Sequence, residues 1–350
     1  MSVPETPALR YDRRLAADVF REEARRSGFS RAAIARAGEP PEFSRFARWL
    51  AAGRHAGMRY LADTRDARAD PSRILPGARS IVCLSATYSS EPYRAADGAE
   101  IARYARGADY HGALRARAEH VARRAADRIS TPFRHRVCVD STPLLERSFA
   151  AAAGLGWIGK NGCLIDPNLG SYVLLAEILT DLDLPPDDPI AEQCGACVAC
   201  LQACPTGALL SPGVLDAGRC LAFWTIEHRG PLPDSVKEAL GPHVFGCDIC
   251  QEVCPWNDGA PRPGCRDVAT EEAPPTRREW LAMGPGEWRR RYGRSALNRA
   301  GRRGLQRNAA ASGGSVGDRR LLPALEGAAR VREAGLSEAA GWAASRLGRG

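Results

Sequence analysis

Apolar and polar positions follow two different rhythms along the first half of the chain. Over residues 15–26 and 43–50 apolar residues recur at the three-to-four spacing of a helix face. Ser80-Ile-Val-Cys-Leu-Ser-Ala-Thr87 breaks that rhythm with a continuous apolar run of strand length, the pattern of a buried strand. Residues 110–129 return to the helical period and are opened by Asp109, whose short carboxylate suits an N-cap. A strand fits Arg136-Val-Cys-Val-Asp140, and a helix fits residues 143–153, with Thr142 as its cap and Pro143 in its first turn. Two further strands fit residues 163–165 and 172–179. Alternating strands and helices predict an α/β domain over residues 1–182.

Proline then takes over in Asp183-Leu-Pro-Pro-Asp-Asp-Pro189, a linker that opens a cysteine-bearing segment over residues 183–258. Residues 259–275 are a second linker rich in proline, glycine and charge, leading into basic helices up to residue 303. From Gly304 the tail to residue 350 has the pattern of one HEAT-type helix pair, which must lean on the domain before it because a single repeat buries too little by itself. The expected fold class is multidomain, mixed α+β and α/β.

Size and charge narrow the function. The 350 residues, 44% of them apolar, suffice for two or three cores. No apolar run is long enough to span a membrane, so no membrane partner is expected and the expected location is the cytoplasm. The net charge of +8 is unevenly spread: residues 281–310 hold Arg289, Arg290, Arg291, Arg294, Arg299, Arg302, Arg303 and Arg307 against one acid, Glu287. Such a block neutralises phosphates, and its Trp288 and Tyr292 offer stacking faces for bases. A charged linker between domains is the alternative.

The cysteines carry the strongest chemical signal. Cys194, Cys197, Cys200 and Cys204-Pro205 are answered by Cys247, Cys250 and Cys254-Pro255. Three thiolates spaced by two residues wrap corners of one iron–sulfur cube, and the fourth, followed by proline, turns to the other cube. The second run is one ligand short, and Cys220 is the natural stand-in. Two [4Fe-4S] clusters are expected, one on Cys194, Cys197, Cys200 and Cys254, the other on Cys204, Cys220, Cys247 and Cys250. Zinc is the alternative, although zinc knuckles do not need the compact run ending in Cys-Pro. Disulfides would need an oxidising compartment, and the first residues carry no apolar signal core. Cys83, Cys138, Cys163 and Cys265 read as packing or incidental thiols.

Three smaller motifs need weighing. Gly154-Leu-Gly156-Trp-Ile-Gly159 matches a dinucleotide fingerprint, but it follows a predicted helix and precedes a strand, the reverse of the order that fingerprint requires. A helix C-cap followed by a glycine-rich loop fits better, one that lets backbone approach a large flat ligand. Asp140, at the carboxyl end of a predicted strand in an α/β crevice, is a candidate acid or base, with an Asx-turn residue as the alternative. Asp109-Tyr-His111 begins the histidine motif of corrinoid proteins, yet Leu114 stands where glycine is needed. His111 is therefore expected to be an ordinary first-turn residue, and a corrin cobalt to lack a histidine from this segment.

Further stretches combine with these nearly end to end: Arg79-Ser-Ile-Val, Ala108-Asp-Tyr-His, Val139-Asp140, Leu145-Glu-Arg147, Gly156-Trp-Ile-Gly-Lys-Asn161, Gly170-Ser-Tyr-Val, residues 194–207, 220–228 and 246–255, and Leu305-Gln-Arg-Asn-Ala. On them the chain resembles the epoxyqueuosine reductases, cobalamin-dependent iron–sulfur enzymes that finish queuosine in tRNA. The resemblance implies a nitroreductase-like cobalamin-binding α/β domain, a ferredoxin-like domain with two [4Fe-4S] clusters, and C-terminal HEAT-like helices. Electrons from an unidentified low-potential donor would pass through the clusters to cobalamin. Two electrons and two protons would then remove the epoxide oxygen of the modified base as water.

Asp140 falls on the family's proton donor, and burial beside the corrin is expected to raise its pKa. Implied cofactor contacts are Arg68, Ala102, Asp140, Arg147, Lys160, Asn161, Leu164, Leu175, Ala222 and Asp248. Ala102 and Ala222 replace polar family residues and would contact through backbone or van der Waals surface. The implied partner is tRNA with a G-U-N anticodon, its phosphates on the arginine block and its base splayed from the stack; a monomer suits that task. The rivals are a corrinoid reductive dehalogenase, a two-cluster electron carrier and a zinc-stabilised RNA-binding module.

Overall fold

A computed structural model describes residues 12–259 and 272–348. Its largest sheet has the strand order Arg31–Arg36, Ser80–Thr87, Val173–Thr180, His135–Cys138, and every neighbouring pair is antiparallel. The two inner strands are covered on both faces, which is why Ser80–Thr87 reads as an unbroken apolar run. Val82, Leu84 and Ile178 pack against Phe20 of the Arg13–Arg26 helix and Leu114 and Val121 of the Tyr110–Arg128 helix. The alternate residues Ile81, Cys83 and Leu179 face Phe149 and Leu155 on the opposite side, as the two-residue period of a strand requires. Both long helices start where short acids cap them: Asp12 accepts from the backbone N–H groups of Arg14 and Leu15, and Asp109 from that of His111.

One strand was not expected, and two local expectations are corrected. The edge strand Arg31–Arg36 was not legible, because Arg-Ala-Ala-Ile-Ala-Arg carries helix-forming alanines and becomes a strand only through pairing with Ser80–Thr87. Its open edge is sealed by the proline-rich segment, which is thus no free linker: the Asp187 N–H donates to Ile34 O at 2.9 Å, and the Asp187 carboxylate accepts from the Ile34 N–H at 2.8 Å. The helix expected over 143–153 spans Glu146–Ala152, with no side-chain cap. Asp140 adopts a left-handed conformation, φ 50°, and the next residues bond back over two positions, Ser141 N–H to Val139 O and Leu144 N–H to Thr142 O. Thr142 and Pro143 belong to that turn, not to the helix start.

The second half is built on the first. Strands Tyr93–Arg94, Glu100–Ile101 and His243–Phe245 form a three-stranded sheet. The helices Arg277–Ala282 and Pro285–Tyr292 cover it, and Ile101, Phe245, Trp280, Trp288, Tyr292 and Leu305 share one core. Trp288 and Tyr292 are only 7% and 9% exposed, so they are packing residues and not stacking faces for bases. The tail helices Gly301–Val316, Leu322–Ala329 and Ala334–Gly348 lean on Leu221, Val236 and Leu240 of the cysteine-bearing half. Cys265 and most of the second expected linker lie outside the described residues. Among the described residues no helix is long and apolar enough to cross a membrane.

Candidate active site

Asp140 lies two residues past the His135–Cys138 strand. In an antiparallel sheet the crevice rule for parallel strands does not apply, so its position rests on its neighbours. His111 Nε2 is 2.9 Å from Asp140 Oδ2, while His111 Nδ1 is 2.5 Å from Asp109 Oδ1. A carboxylate on each ring nitrogen stabilises the imidazolium, and hydrogen bonding to Asp140 leads the causes that push His111 up to about 9. The same contact holds Asp140 below the ordinary carboxyl range, the opposite of the raised value expected from the sequence. The hydrogen bond to the imidazolium outweighs the burial that opposes it, so the carboxyl, whose side chain is 61% exposed, stays ionised beside a cation. His111 is thus no ordinary helical residue, and both its ring nitrogens are engaged. The failed corrinoid motif drew attention away from it, and only the pairing across 29 positions shows its role.

Around this pair converge groups from all parts of the chain. The buried Tyr104 hydroxyl feels Asp140, Asp248, Glu227 and Arg299. Tyr60 lies beneath the Arg299 guanidinium, 5.6 Å from its ring centroid, and also feels Asp140 and Arg68. Glu227 ends a π-helical turn, Phe223–Glu227, a form that concentrates at functional sites. The Asp109 N–H donates to Arg294 O at 3.0 Å, tying the arginine segment to the start of the His111 helix.

The thiols divide into two groups. Cys194, Cys197, Cys200 and Cys254 line a solvent-open hollow of about 370 Å³, closed by Ile165, Pro255 and Trp256. Burial raises the Cys194 thiol, and the buried Trp157 indole N–H, which has no oxygen or nitrogen acceptor among the described residues, acts on it in the opposite sense. A cluster sulfur ligand suits that orphaned donor. Cys204, Cys220 and Cys247 are electrostatic neighbours, and Cys250 feels Cys220 and Cys247. Among the described residues no three His, Cys, Asp or Glu side chains close on a single point. The first four thiols stand around a hollow, as a multi-iron cube requires, and both sets fit [4Fe-4S] clusters. Cys163, read as incidental, lies against Cys250 and hydrogen-bonds it. The G-x-G-x-x-G glycines serve this packing: a Cβ on Gly156 would collide with Ile165 O, and one on Gly154 with Asp188 O.

Comparison with known proteins agrees with this arrangement. Residues 193–257 match the 4Fe-4S double cluster binding domain, and residues 68–141 match the family model described as epoxyqueuosine reductase QueG, DUF1730. An epoxyqueuosine reductase of Xanthomonas campestris pv. campestris is 38% identical over 349 residues, covering 95% of this chain and 96% of the relative. The chain belongs to the epoxyqueuosine reductase family. A relative from Gloeobacter violaceus is 43% identical over 315 residues, covering 85% of this chain and 96% of its own. Among solved structures, an epoxyqueuosine reductase with an epoxyqueuosine-modified tRNA-Tyr stem loop superposes with a TM-score of 0.85 at 30% identity, over 95% of this chain and 90% of that one. The enzyme from Bacillus subtilis, with its catalytic aspartate loop swung out of the active site, gives 0.81 at 29%, over 94% and 90%. As a member of this family the chain is an oxidoreductase.

The other residues expected to touch a corrin fall into three sets in this family member. Arg68, Arg147, Lys160, Asn161 and Asp248 already have internal partners. Arg68 donates to Leu144 O, Arg147 to Gly162 O, and Lys160 to Gly195 O and Cys197 O. Asn161 donates to Cys250 O, and the Asp248 carboxylate accepts from the Arg103 N–H and guanidinium. Leu164 and Leu175 belong to the core beneath the sheet. Ala102 packs tightly against Gly246, where a Cβ would collide with the Ala102 Cβ, and Ala222 precedes the π-helical turn. Such a wall fits a large flat group through backbone atoms and its polar rim.

The arginine block divides by burial. Arg289, Arg290 and Arg294 are exposed. Arg291 pairs with Glu272 and Glu287, Arg299 with Glu227, and Arg302 and Arg303 both donate to Gln306 Oε1. Arg307 is withdrawn from phosphate binding. It is 3% exposed and donates to the carbonyls of Trp224, His228 and Gly230, and burial pushes it down to about 10.

Proposed function

We propose that this protein reduces epoxyqueuosine to queuosine at the wobble position of tRNA, with the Asp140–His111 pair as its proton source. That pair carries the reading, since a surface carboxylate and an imidazolium at 2.9 Å hold one transferable proton beside the convergence of all three parts of the chain. Opening an epoxide creates an alkoxide, which must be protonated for oxygen to leave as water. Two electrons and two protons give alkene and water. A relative is described with its catalytic aspartate loop swung out of the active site. Asp140, in a left-handed turn between strand and helix, is this chain's candidate for the same part.

Two [4Fe-4S] clusters would be held by Cys194, Cys197, Cys200 and Cys254 and by Cys204, Cys220, Cys247 and Cys250. Cobalamin would be held at the wall formed by Ala102, Ala222, Asn161 and Asp248. When bound, these groups supply the reducing electrons at low potential. The protein's share is to position the base, shield it and move the proton. The reading keeps the nitroreductase-like, ferredoxin-like and HEAT-like character of the three parts, a low-potential donor, tRNAs with a G-U-N anticodon, a monomer and a cytoplasmic setting.

The pair fixes a pH dependence. His111 keeps its proton below about 9 and loses it above, so turnover should fall as pH rises through that value. His111→Gln should lower turnover and remove this alkaline limb in a pH–rate profile. An unaltered limb would take the proton away from His111.

Phosphate binding is tested separately. Replacing Arg289, Arg290 and Arg294 together with alanine should weaken binding of an anticodon stem-loop and flatten its salt dependence, by roughly 0.7–0.9 in slope for each phosphate that is no longer neutralised. Arg307→Ala should instead lower thermal stability. It leaves buried carbonyls without a donor, at about 1–3 kcal/mol each.

A further inference from the structure

Beneath Asp140 lies a second pair of acids that the chemistry above does not use. Glu177 sits in the middle of the Val173–Thr180 strand, 0% exposed, and among the described residues neither carboxyl oxygen has a conventional hydrogen-bond partner. Its sheet neighbours are Cys83 on one side and Cys138 on the other, both buried thiols, so no cation flanks it in the sheet. A lone buried carboxylate would cost several kcal/mol, and the group stays neutral instead. Burial, then Glu146, holds its pKa well above the carboxyl range, so it carries a proton and needs an acceptor.

That acceptor is Glu146, the first residue of the Glu146–Ala152 helix. Glu146 Oε1 in turn accepts the backbone N–H of Asp140. Asp140 is held at φ 50°, a conformation costing a non-glycine residue about 1–2 kcal/mol. A hydrogen bond to a charged group contributes about 1.5–3 kcal/mol and offsets that strain. The charged and titratable groups facing the pair are Asp140, Arg147, Arg68 and Tyr110 around Glu146, and Cys83 and Cys138 around Glu177.

We propose that Glu146 and Glu177 share one proton as a positioning pair: the Glu177 acid donates to the Glu146 carboxylate, which grips the Asp140 amide and holds the Asp140 loop in its working position. The proposal rests on the reading that Asp140 delivers the proton. No bond to substrate is made and no electron moves. The grip is strongest while Glu146 is ionised. Burial and the nearby Asp140 charge raise Glu146 to about 7, so the grip is present above that pH and weakens as pH falls through it.

The test uses the cluster- and cobalamin-loaded enzyme and two readouts. Hydrogen exchange by mass spectrometry follows the backbone of residues 139–145, and a pH–rate profile follows turnover of epoxide-bearing tRNA. Glu146→Gln, which keeps the oxygen but not the charge, should speed exchange in that loop about tenfold. It should also lower the maximal rate with tRNA KM unchanged and abolish the acid limb near pH 7. Glu177→Gln, which keeps a donor to Glu146, should retain about tenfold more activity than Glu177→Leu.

Unchanged loop exchange together with an unchanged acid limb in Glu146→Gln would overturn the proposal, as would equal activity of the two Glu177 variants. The exchange readout does not depend on chemistry. Faster exchange in Glu146→Gln alongside a fully active Asp140→Asn enzyme would therefore sink the role of Asp140 while leaving the clamp in place.

Discussion

Asp140→Asn will cut turnover of epoxide-bearing tRNA roughly 10²–10⁴-fold, the span of a positioned acid or base. The amide keeps the size of the side chain and an oxygen for the His111 N–H, so the loop and tRNA affinity should survive. What it removes is the negative charge, so the hydrogen bond that leads the causes raising His111 to about 9 becomes one to a neutral acceptor and holds the imidazolium less firmly. The variant therefore loses the relay and also lowers the affinity of the imidazole for its proton. Asp140→Gly separates chemistry from backbone strain, because glycine adopts φ 50° freely. It should fold as well as the parent and be as inactive as the Asn variant. Full turnover by either enzyme, measured in single-turnover assays with a modified stem-loop, would remove Asp140 from the mechanism.

Cys220→Ala should halve the iron, from about eight to about four atoms per chain, and abolish turnover while the first cluster stays in place. Cys220 is the ligand that the spacing of the second run does not contain, so this variant tests the assignment where it is weakest by pattern. Cys163→Ala is the contrast. Cys163 touches Cys250, and if the eight-thiol assignment is right its loss leaves the iron content at about eight. Iron and sulfide analysis after anaerobic purification reads both. Half the iron in Cys163→Ala and full iron in Cys220→Ala would exchange their roles.

Much of this was legible because it is local in sequence. The spacing of Cys194, Cys197 and Cys200 places three thiols on one short turn-and-helix segment whatever surrounds it, and the family model for a double cluster domain matches there. The unbroken apolar run of Ser80–Thr87 could be satisfied only by burial on both faces, and the Asp109 cap fixed the start of the Tyr110–Arg128 helix. The G-x-G-x-x-G stretch was separable from a nucleotide site by element order alone.

The failures have a common cause. Trp288, Tyr292 and Arg307 have the composition of a nucleic-acid surface, but which side of a helix faces the core depends on what packs against it. The Ala-rich Arg31–Arg36 strand is set by pairing with Ser80–Thr87, and the proline-rich segment by hydrogen bonds to that strand's open edge, neither of which the local sequence records.

The sequence by itself determined the metal chemistry, the family and the main secondary elements, since these follow from residue type and spacing along the chain. Only the tertiary structure brings together the groups that compete for the proton. His111, Asp140, Glu146 and Glu177 come from different helices, a strand and a turn. Their acidities are set by burial and by one another's charge, and those depend on distances in space that no spacing in the chain records.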